Sequence, residues 1–266
     1  MAPESGPALE ALMDAAWPAS DRQDCGGWVL RAASGVTQRA NSVWPREPGT
    51  DEHAQLAALR EARLWYRAKR LPLIFQVFED PRSGPLNAVL DAEGFTRQSE
   101  TVMLVRDGGG SAPAPAHGVE ISTEPSVEWL RLWWSVDGRG GAEALGVARA
   151  ILTGCPALYA LVRDGDGGPA GVGRLAMPDG AAAGAGKSHG GLYCMATRPD
   201  ARRRGYAGQV LRGLLDEGTR RGLAGYWLLV TTANSGAREL YARAGFEEAS
   251  RYLYRQERPK RHLTGC

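Results

Sequence analysis

The sequence predicts an α/β fold built on a mixed sheet (an α+β mixed sheet), and three observations carry the prediction. Gly191–Ala196 (GLYCMA) is a short, mostly apolar run of strand type, and Tyr206, Val210, Leu211, Leu214 and Leu215 then recur at helical spacing. Tyr226–Val230 (YWLLV) is a second strand, followed by a helix with Ala237, Leu240, Tyr241 and Ala244 on one side and Gly245 as its C-terminal cap. The first half of the chain loosely repeats this order of strand, helix, strand, helix and Gly-Phe.

Each element has its own signal. In the second half, Val119–Ser122 reads as a strand, Ser126–Val136 as a helix with Leu130, Trp133 and Trp134 apolar, and Ala142–Ala150 as another helix. Leu158–Arg163 and Ala170–Ala176 are strands joined by Asp164-Gly165-Asp166-Gly167-Gly168, a hairpin turn. That acidic turn is too short for an EF-hand calcium loop and lacks its closing Glu. A last strand covers about Arg251–Arg255. In the first half, Ala8–Ala16 is a short helix, and Trp28–Ala33 with Gln38–Trp44 reads as a hairpin around Ser34-Gly35. Asp51–Lys69 is a longer helix with Leu56, Leu59, Leu64 and Trp65 as its inner face. Leu73–Phe78 is a strand, Pro85–Ala92 a helix stopped by Gly94-Phe95, and Thr101–Arg106 a strand.

The segment Thr197–Ala207 (TRPDARRRGYA) carries the chemistry. It is an arginine-rich turn between a strand and a helix, and a helix N-terminus presents unpaired N–H groups and partial positive charge to a phosphate. Gly205 has no side chain to hold phosphates away from those donors, and Arg202, Arg203 and Arg204 add forked donors. Taken alone, the turn fits equally well a solvated basic turn ahead of a surface helix.

Two motifs in order make the chain resemble the GCN5-related N-acetyltransferase (GNAT) superfamily. The family's pyrophosphate motif, Arg/Gln-x-x-Gly-x-Gly/Ala, is matched by Arg202, Gly205 and Ala207. Its second signature, Asn-x-x-Ala-x-x-Leu-Tyr-x-x-x-Gly-Phe, is matched by Asn234, Ala237, Leu240, Tyr241, Gly245 and Phe246. The resemblance is clear from about His117 to Arg258. It implies a GNAT fold there, with acetyl-CoA or another acyl-CoA as co-substrate and no metal. It also implies direct attack of a primary amine on the thioester, the acceptor being a small molecule or a peptide. By the family's pattern Met195, Ala196 and Thr197 hold the pantetheine arm, while Arg202, Arg203, Arg204, Gly205, Tyr206, Ala207 and Gly208 surround the pyrophosphate. Asn234 stands where the family often contacts the cofactor arm, and Tyr241 where it places the proton donor to the leaving thiolate. Read from the residues alone, Tyr241 is also a plausible core tyrosine of an amphipathic helix.

The chain departs from the family at the base. Many relatives carry a Glu on the strand before the pyrophosphate loop, where Tyr193 and Cys194 stand here. Glu143 and Glu124 are nominal substitutes, and ordered water is the other route. Cys194 has no His partner in sequence, so a covalent acyl-enzyme is not expected. A non-catalytic acyl-CoA sensor is the alternative reading of the same motifs.

Asp107–His117 (DGGGSAPAPAH) reads as a linker. The expected division is therefore a degenerate GNAT-like unit over 1–107, a linker over 108–116 and a catalytic GNAT unit over 117–266, a tandem arrangement. In it, Trp28, Arg31, Arg39 and Asn41 are candidate contributors to the acceptor cleft. The chain of 266 residues has a net charge of +2, so nothing electrostatic calls for nucleic acid. Cys25, Cys155, Cys194 and Cys266 are scattered without metal spacing. The start MAPESGPALEALMDAAWPASD lacks a basic stretch before an apolar core, and no run approaches a membrane span, so a cytoplasmic monomer or homodimer is expected. Ala181–Ser188 (AAAGAGKS) loosely fits a nucleotide-binding loop, but no helix can follow it, because His189-Gly190-Gly191 runs into a strand. It reads as a surface turn, with Lys187 an exposed lysine and His189 a loop histidine. Arg258–His262 (RPKRH) reads as a basic tail.

Overall fold

The computed structural model describes residues 6–109, 118–178 and 188–258. In chain order the elements are α1 (Gly6–Ala16), β1 (Asp21–Cys25), β2 (Trp28–Ala32), α2 (Glu52–Ala68), β3 (Ile74–Phe78), α3 (Gly84–Ala92) and β4 (Thr96–Asp107). After these come β5 (Val119–Ser122), α4 (Val127–Asp137), α5 (Ala142–Thr153), β6 (Ala157–Arg163), β7 (Pro169–Ala176), β8 (His189–Thr197), α6 (Tyr206–Arg220), β9 (Gly225–Thr231), α7 (Ser235–Arg243) and β10 (Glu247–Gln256). The mixed α/β class is the expected one.

The chain forms two compact units. The larger consists of the residues through Pro18 with Val102–Ala249, and the smaller of Ala19–Thr101 with the residues from Ser250 on. These are not the stretches on either side of 108–116. The first helix belongs to the larger unit, and the other two boundaries fall inside β4 and β10. Most of the linker, the segment 181–187 with Lys187, and the tail from residue 259 lie outside the described residues.

In the larger unit the strands run β4–β9–β8–β7–β6–β5. The pairs β5/β6, β6/β7 and β7/β8 are antiparallel, and β8/β9 is parallel. The predicted stripe of α6 buries Val210, Leu211, Leu214 and Leu215 in one cluster with Leu158, Leu175 and Leu192. Gly173 of β7 lies under this helix: a Cβ there would stand 2.5 Å from the Met195 sulfur and 2.6 Å from a Val210 methyl. Side chains alternate across a sheet, so the next residue, Arg174, is on the other face. There Trp129 of α4 meets Tyr159 edge-on at 5.2 Å, and its indole N–H donates to the carbonyls of Ala160 (3.0 Å) and Gly173 (3.2 Å).

In the smaller unit β3 pairs antiparallel with β10, from Ile74↔Gln256 to Phe78↔Tyr252. Its core gathers Leu30, Leu59, Tyr66, Phe75, Leu86 and Leu90. Two expectations need correction here. Trp28–Ala32 forms its hairpin with Asp21–Cys25 across Gly26-Gly27, and of the expected partner 38–44, otherwise a loop, only Trp44 pairs with it, through an antiparallel bridge to Val29. Asn41 organises that loop: its Oδ1 accepts from the N–H groups of Ala33 (2.8 Å) and Gly35 (2.9 Å), and its Nδ2 donates to the carbonyls of Val36 (2.8 Å) and Thr37 (2.7 Å). Of the expected inner face of α2, Leu59 is buried and Leu56 and Trp65 pack against the same core, but Leu64 is 65% exposed, and Gln55, Ala62 and Tyr66 are buried beside Leu59. Burial of Ala62 and Tyr66 follows the i, i+3, i+7 row from Leu59, on which Leu64 does not lie.

Candidate active site

The larger unit opens at the carboxyl ends of β8 and β9. The two strands pair from His189↔Gly225 to Leu192↔Leu228 and no further, so Tyr193–Thr197 leaves β9 behind. On its other side β8 bulges against β7: Arg174 faces Tyr193 and Val172 faces Ala196, leaving Cys194 and Met195 opposite the single Gly173. Cys194 takes φ +55°, a left-handed conformation that only a held backbone imposes on a non-glycine residue. Of the residues expected along the pantetheine arm, Met195 is therefore in the bulge and Ala196 and Thr197 follow it at the edge of the opening.

The loop after β8 is pinned at its start and unpartnered at its end. Arg198 donates to Asp164 (2.7 Å) and Asp200 (2.7 Å) and to the Pro169 carbonyl (3.0 Å). The Asp164 and Asp200 carboxyls are held below the usual range, first by this arginine. Arg198 thus ties the loop to the β6–β7 turn; the sequence held no signal for that role. The chain then turns through Arg203 (φ +65°) and Gly205 (φ +85°) into α6. No side chain caps α6, whose first helical bond is Gln209 N–H to the Gly205 carbonyl at 3.1 Å. Arg202, Arg203, Arg204 and Gly205 are exposed, and none of the three arginines has an ion pair among the described residues. Tyr206, Ala207 and Gly208 form the first turn, each half-buried. The structure therefore brings all the residues expected around the pyrophosphate to one helix start.

Beyond Gly208 a cavity of about 420 Å³ runs between α6 and α7, with Arg106, Arg212, Arg243 and Asp216 among its lining. Asn234 caps α7: its Oδ1 accepts from Ala237 N–H at 3.1 Å, which leaves the Nδ2 group as its donor to a ligand. Tyr241 is buried in the core cluster, edge-on to Phe246 with ring centres 6.0 Å apart. Burial, and then the nearby charge of Asp137, push its hydroxyl up to about 12.

Asp137, the last residue of α4, was not singled out by the sequence, which offers no spacing to connect it with Tyr241. As a residue it is exposed, yet its carboxyl stands among dense protein. That desolvation raises its pKa, while Trp133 and the Arg202 charge act in the opposite direction. Glu124 and Glu143 are exposed.

Other expected participants have structural roles. Tyr193, at the place of the family's Glu, stacks on Trp17 at 5.3 Å, and its hydroxyl accepts from the Trp227 indole at 3.1 Å. Arg174, fully buried, donates to the Ala16 carbonyl (3.1 Å) and contacts the Cys155 sulfur (3.2 Å), fastening α1 to this face. His189 is not a loop residue: it opens β8 and is buried against Gly225. It lies five residues from Cys194, ~16 Å along an extended strand, too far to activate that thiol. Trp28, Arg31 and Asn41 are spent inside the smaller unit. Trp28 packs on Phe75, and Arg31 bonds the Ser42 carbonyl (3.0 Å) and Gln76 (2.8 Å). Among the described residues no group of three or more His, Cys, Asp or Glu is placed to hold a metal, and no helix is long and apolar enough to cross a membrane.

A mixed sheet that splays beside a bulged strand, with an uncapped and arginine-flanked helix behind it, is the frame of a GNAT-type N-acetyltransferase. The family whose profile matches residues 7–255 is described as "Probable histone acetyltransferase Rv0428c C-terminal", and the chain belongs to that family. Over 255 residues it is 27% identical to the uncharacterized N-acetyltransferase YobR of Bacillus subtilis, covering 94% of this chain and 98% of that protein. Among solved structures it is similar to a GCN5-related N-acetyltransferase from Kribbella flavida, with a TM-score of 0.71 and 20% identity over 98% of both chains. It is also similar to a tandem GNAT protein from the clavulanic acid biosynthesis pathway, with a TM-score of 0.65 and 16% identity over 97% of this chain and 91% of that one. At such identities the structural likeness shows the fold. With the named relative and the family it makes the protein an N-acetyltransferase.

Proposed function

We propose that the larger unit moves acetyl from acetyl-CoA, or a related acyl from its CoA ester, to a primary amine by direct attack in a ternary complex. The observation that carries this reading is the start of α6: unpaired helix N–H groups, a glycine at φ +85° and three arginines without ion pairs among the described residues, placed directly after the opened strand β8. Arg202–Gly208 would hold the pyrophosphate, and the backbone of Met195–Thr197 the pantetheine. The arginines of the α6–α7 cavity suit the remaining phosphate. The amine nitrogen attacks the thioester carbon, the C–S bond breaks, and the amine proton leaves.

Two side chains divide the proton work. A thiol ionises near ~8.5, well below a hydroxyl at about 12, so Tyr241 keeps its proton and stabilises the thiolate by hydrogen bonding. Asp137, with a raised pKa and its charge felt at Tyr241, is the carboxylate that takes the amine proton, directly or through water. The family description names histone, and a lysine side chain is one such primary amine.

The smaller unit we read as a degenerate copy. Its β2–α2–β3–α3–β4 order parallels β8–α6–β9–α7–β10. Phe95 N–H bonds the Leu90 carbonyl (2.9 Å) past Gly94 at φ +78°, as Phe246 N–H bonds the Tyr241 carbonyl (3.1 Å) past Gly245 at φ +81°. In that correspondence Leu90 replaces the tyrosine. At the start of α2 the Asp51 carboxylate caps Ala54 N–H at 2.9 Å with Glu52 beside it, so negative charge already fills the phosphate position.

The test is thiol release from acetyl-CoA on adding primary amines. Amine-dependent release is expected, and release on no amine, lysine peptides included, would sink the reading. With a responsive amine, log kcat/KM against pH separates the proton acceptor. Both the amine and Asp137 must be deprotonated, so the acid side should steepen from slope one to slope two below the Asp137 pKa, which lies above the ordinary ~3.9. Asp137→Asn should keep slope one throughout and lose about 10²-fold or more in rate. An unaltered profile would remove Asp137 from the proton path.

A further inference from the structure

We propose that the smaller unit holds a second, separate binding site, for a small molecule bearing two or more phosphate groups, at the C-terminal end of α2. A cavity of about 630 Å³ lies there, with Arg63, Arg67, Arg70, Arg258 and Glu257 among its lining. Arg63 is spent, bonded to Glu93 at 2.8 Å and to Glu257 at 2.6 Å, and one cation shared by two carboxylates leaves one negative charge there. Arg67, Arg70 and Arg258 are exposed and have no ion pair among the described residues. Three guanidinium groups thus line one recess against a single excess carboxylate charge, a surplus of about two positive charges among the described residues.

The backbone presenting two of them is held. Arg70 adopts φ +57°, a left-handed conformation that is costly for a non-glycine residue. The turn is closed by Arg70 N–H to the Arg67 carbonyl (3.0 Å) and Leu71 N–H to the Tyr66 carbonyl (3.0 Å). Tyr66 is buried and anchored, its hydroxyl donating to the Arg31 carbonyl at 2.8 Å. Attraction to the helix C-terminus accounts for a cation in the last turn. It does not account for Arg258, which arrives from the far end of the chain beyond β10.

Forked donors in this number suit phosphate oxygens, and a surplus of about two positive charges matches a ligand carrying at least two phosphates. The volume leaves room for a group attached to them. All the lining residues belong to the smaller unit, so the site does not share the α6 helix start.

Inorganic pyrophosphate and ATP serve as probes, titrated calorimetrically at low salt into full-length protein carrying Gly205→Glu, so that the α6 site does not answer. Saturable binding of one equivalent is expected, weakening as salt rises. Adding Arg67→Ala and Arg70→Ala should weaken it ~100-fold or more, since each charged hydrogen bond lost costs about tenfold or more. Arg258→Ala alone touches neither the helix nor the turn and should weaken binding ~5-fold or more, which decides the matter if the double variant misfolds. Absence of saturable binding, binding by wild type that Gly205→Glu abolishes, or equal affinity in the arginine variants would each overturn the proposal. Binding of ATP but not of pyrophosphate would do so as well.

Discussion

Gly205→Glu is expected to weaken acetyl-CoA binding at least ~100-fold by calorimetry while leaving the protein folded. A Cβ at Gly205 meets nothing within 4 Å, so no neighbour is displaced. The effect comes from two other sources. The left-handed φ of +85° disfavours any residue with a Cβ by about 1–2 kcal/mol. The new carboxylate would face the pyrophosphate in its proposed place at the helix start, and juxtaposed like charges cost several kcal/mol. Gly205→Asn separates the two, because Asn visits the left-handed region without adding charge; its affinity should stay within about fivefold of wild type. Equal binding by wild type and Gly205→Glu would place the pyrophosphate elsewhere.

Tyr241→Phe is expected to lower kcat about 10²–10³-fold with acetyl-CoA affinity changed less than threefold, the signature of a donor used only as charge develops. The substitution keeps the ring in its edge contact with Phe246 and removes only the hydroxyl. Packing and thermal stability should therefore be nearly unchanged. A kcat within threefold of wild type would make Tyr241 a core residue and return the leaving thiolate to solvent.

The elements around the cofactor loop were legible because each rested on local chemistry. Tyr206 to Leu215 follows a helical stripe, Ser126 caps α4 through Trp129 N–H at 3.1 Å, and Gly245 stops α7 at positive φ. The errors arose where a distant partner decides. Asp21–Cys25 (DRQDC) is too polar to announce a strand, and its side chains are largely exposed. Conversely, Val43 and Trp44 touch the sheet only through isolated bridges, to Phe75 and Val29. Leu64 is apolar but sits on the wet side of α2, and no periodicity of four leucines and aromatics could rank it below Ala62 and Tyr66. The residues proposed to hold phosphate are contiguous, so one motif names them together. Arg198 and the role proposed for Asp137 depend on groups brought from other elements, which a linear pattern does not encode.

The contrast between the two helix starts reaches into the thermodynamics of the whole chain. Helix α2 carries its own acceptor, Asp51, a cap that contributes about 1 kcal/mol wherever the protein goes. Helix α6 has no such side-chain acceptor, and under the proposed function its ligand would supply one. Under the acyl-CoA reading, its unit gains stability as RT ln(1 + [L]/Kd), about 2.7 kcal/mol when the ligand stands at 100 times Kd. Supply of the acyl donor would then set how long the enzyme survives as well as how fast it turns over, and a cell short of acyl-CoA would hold less of it.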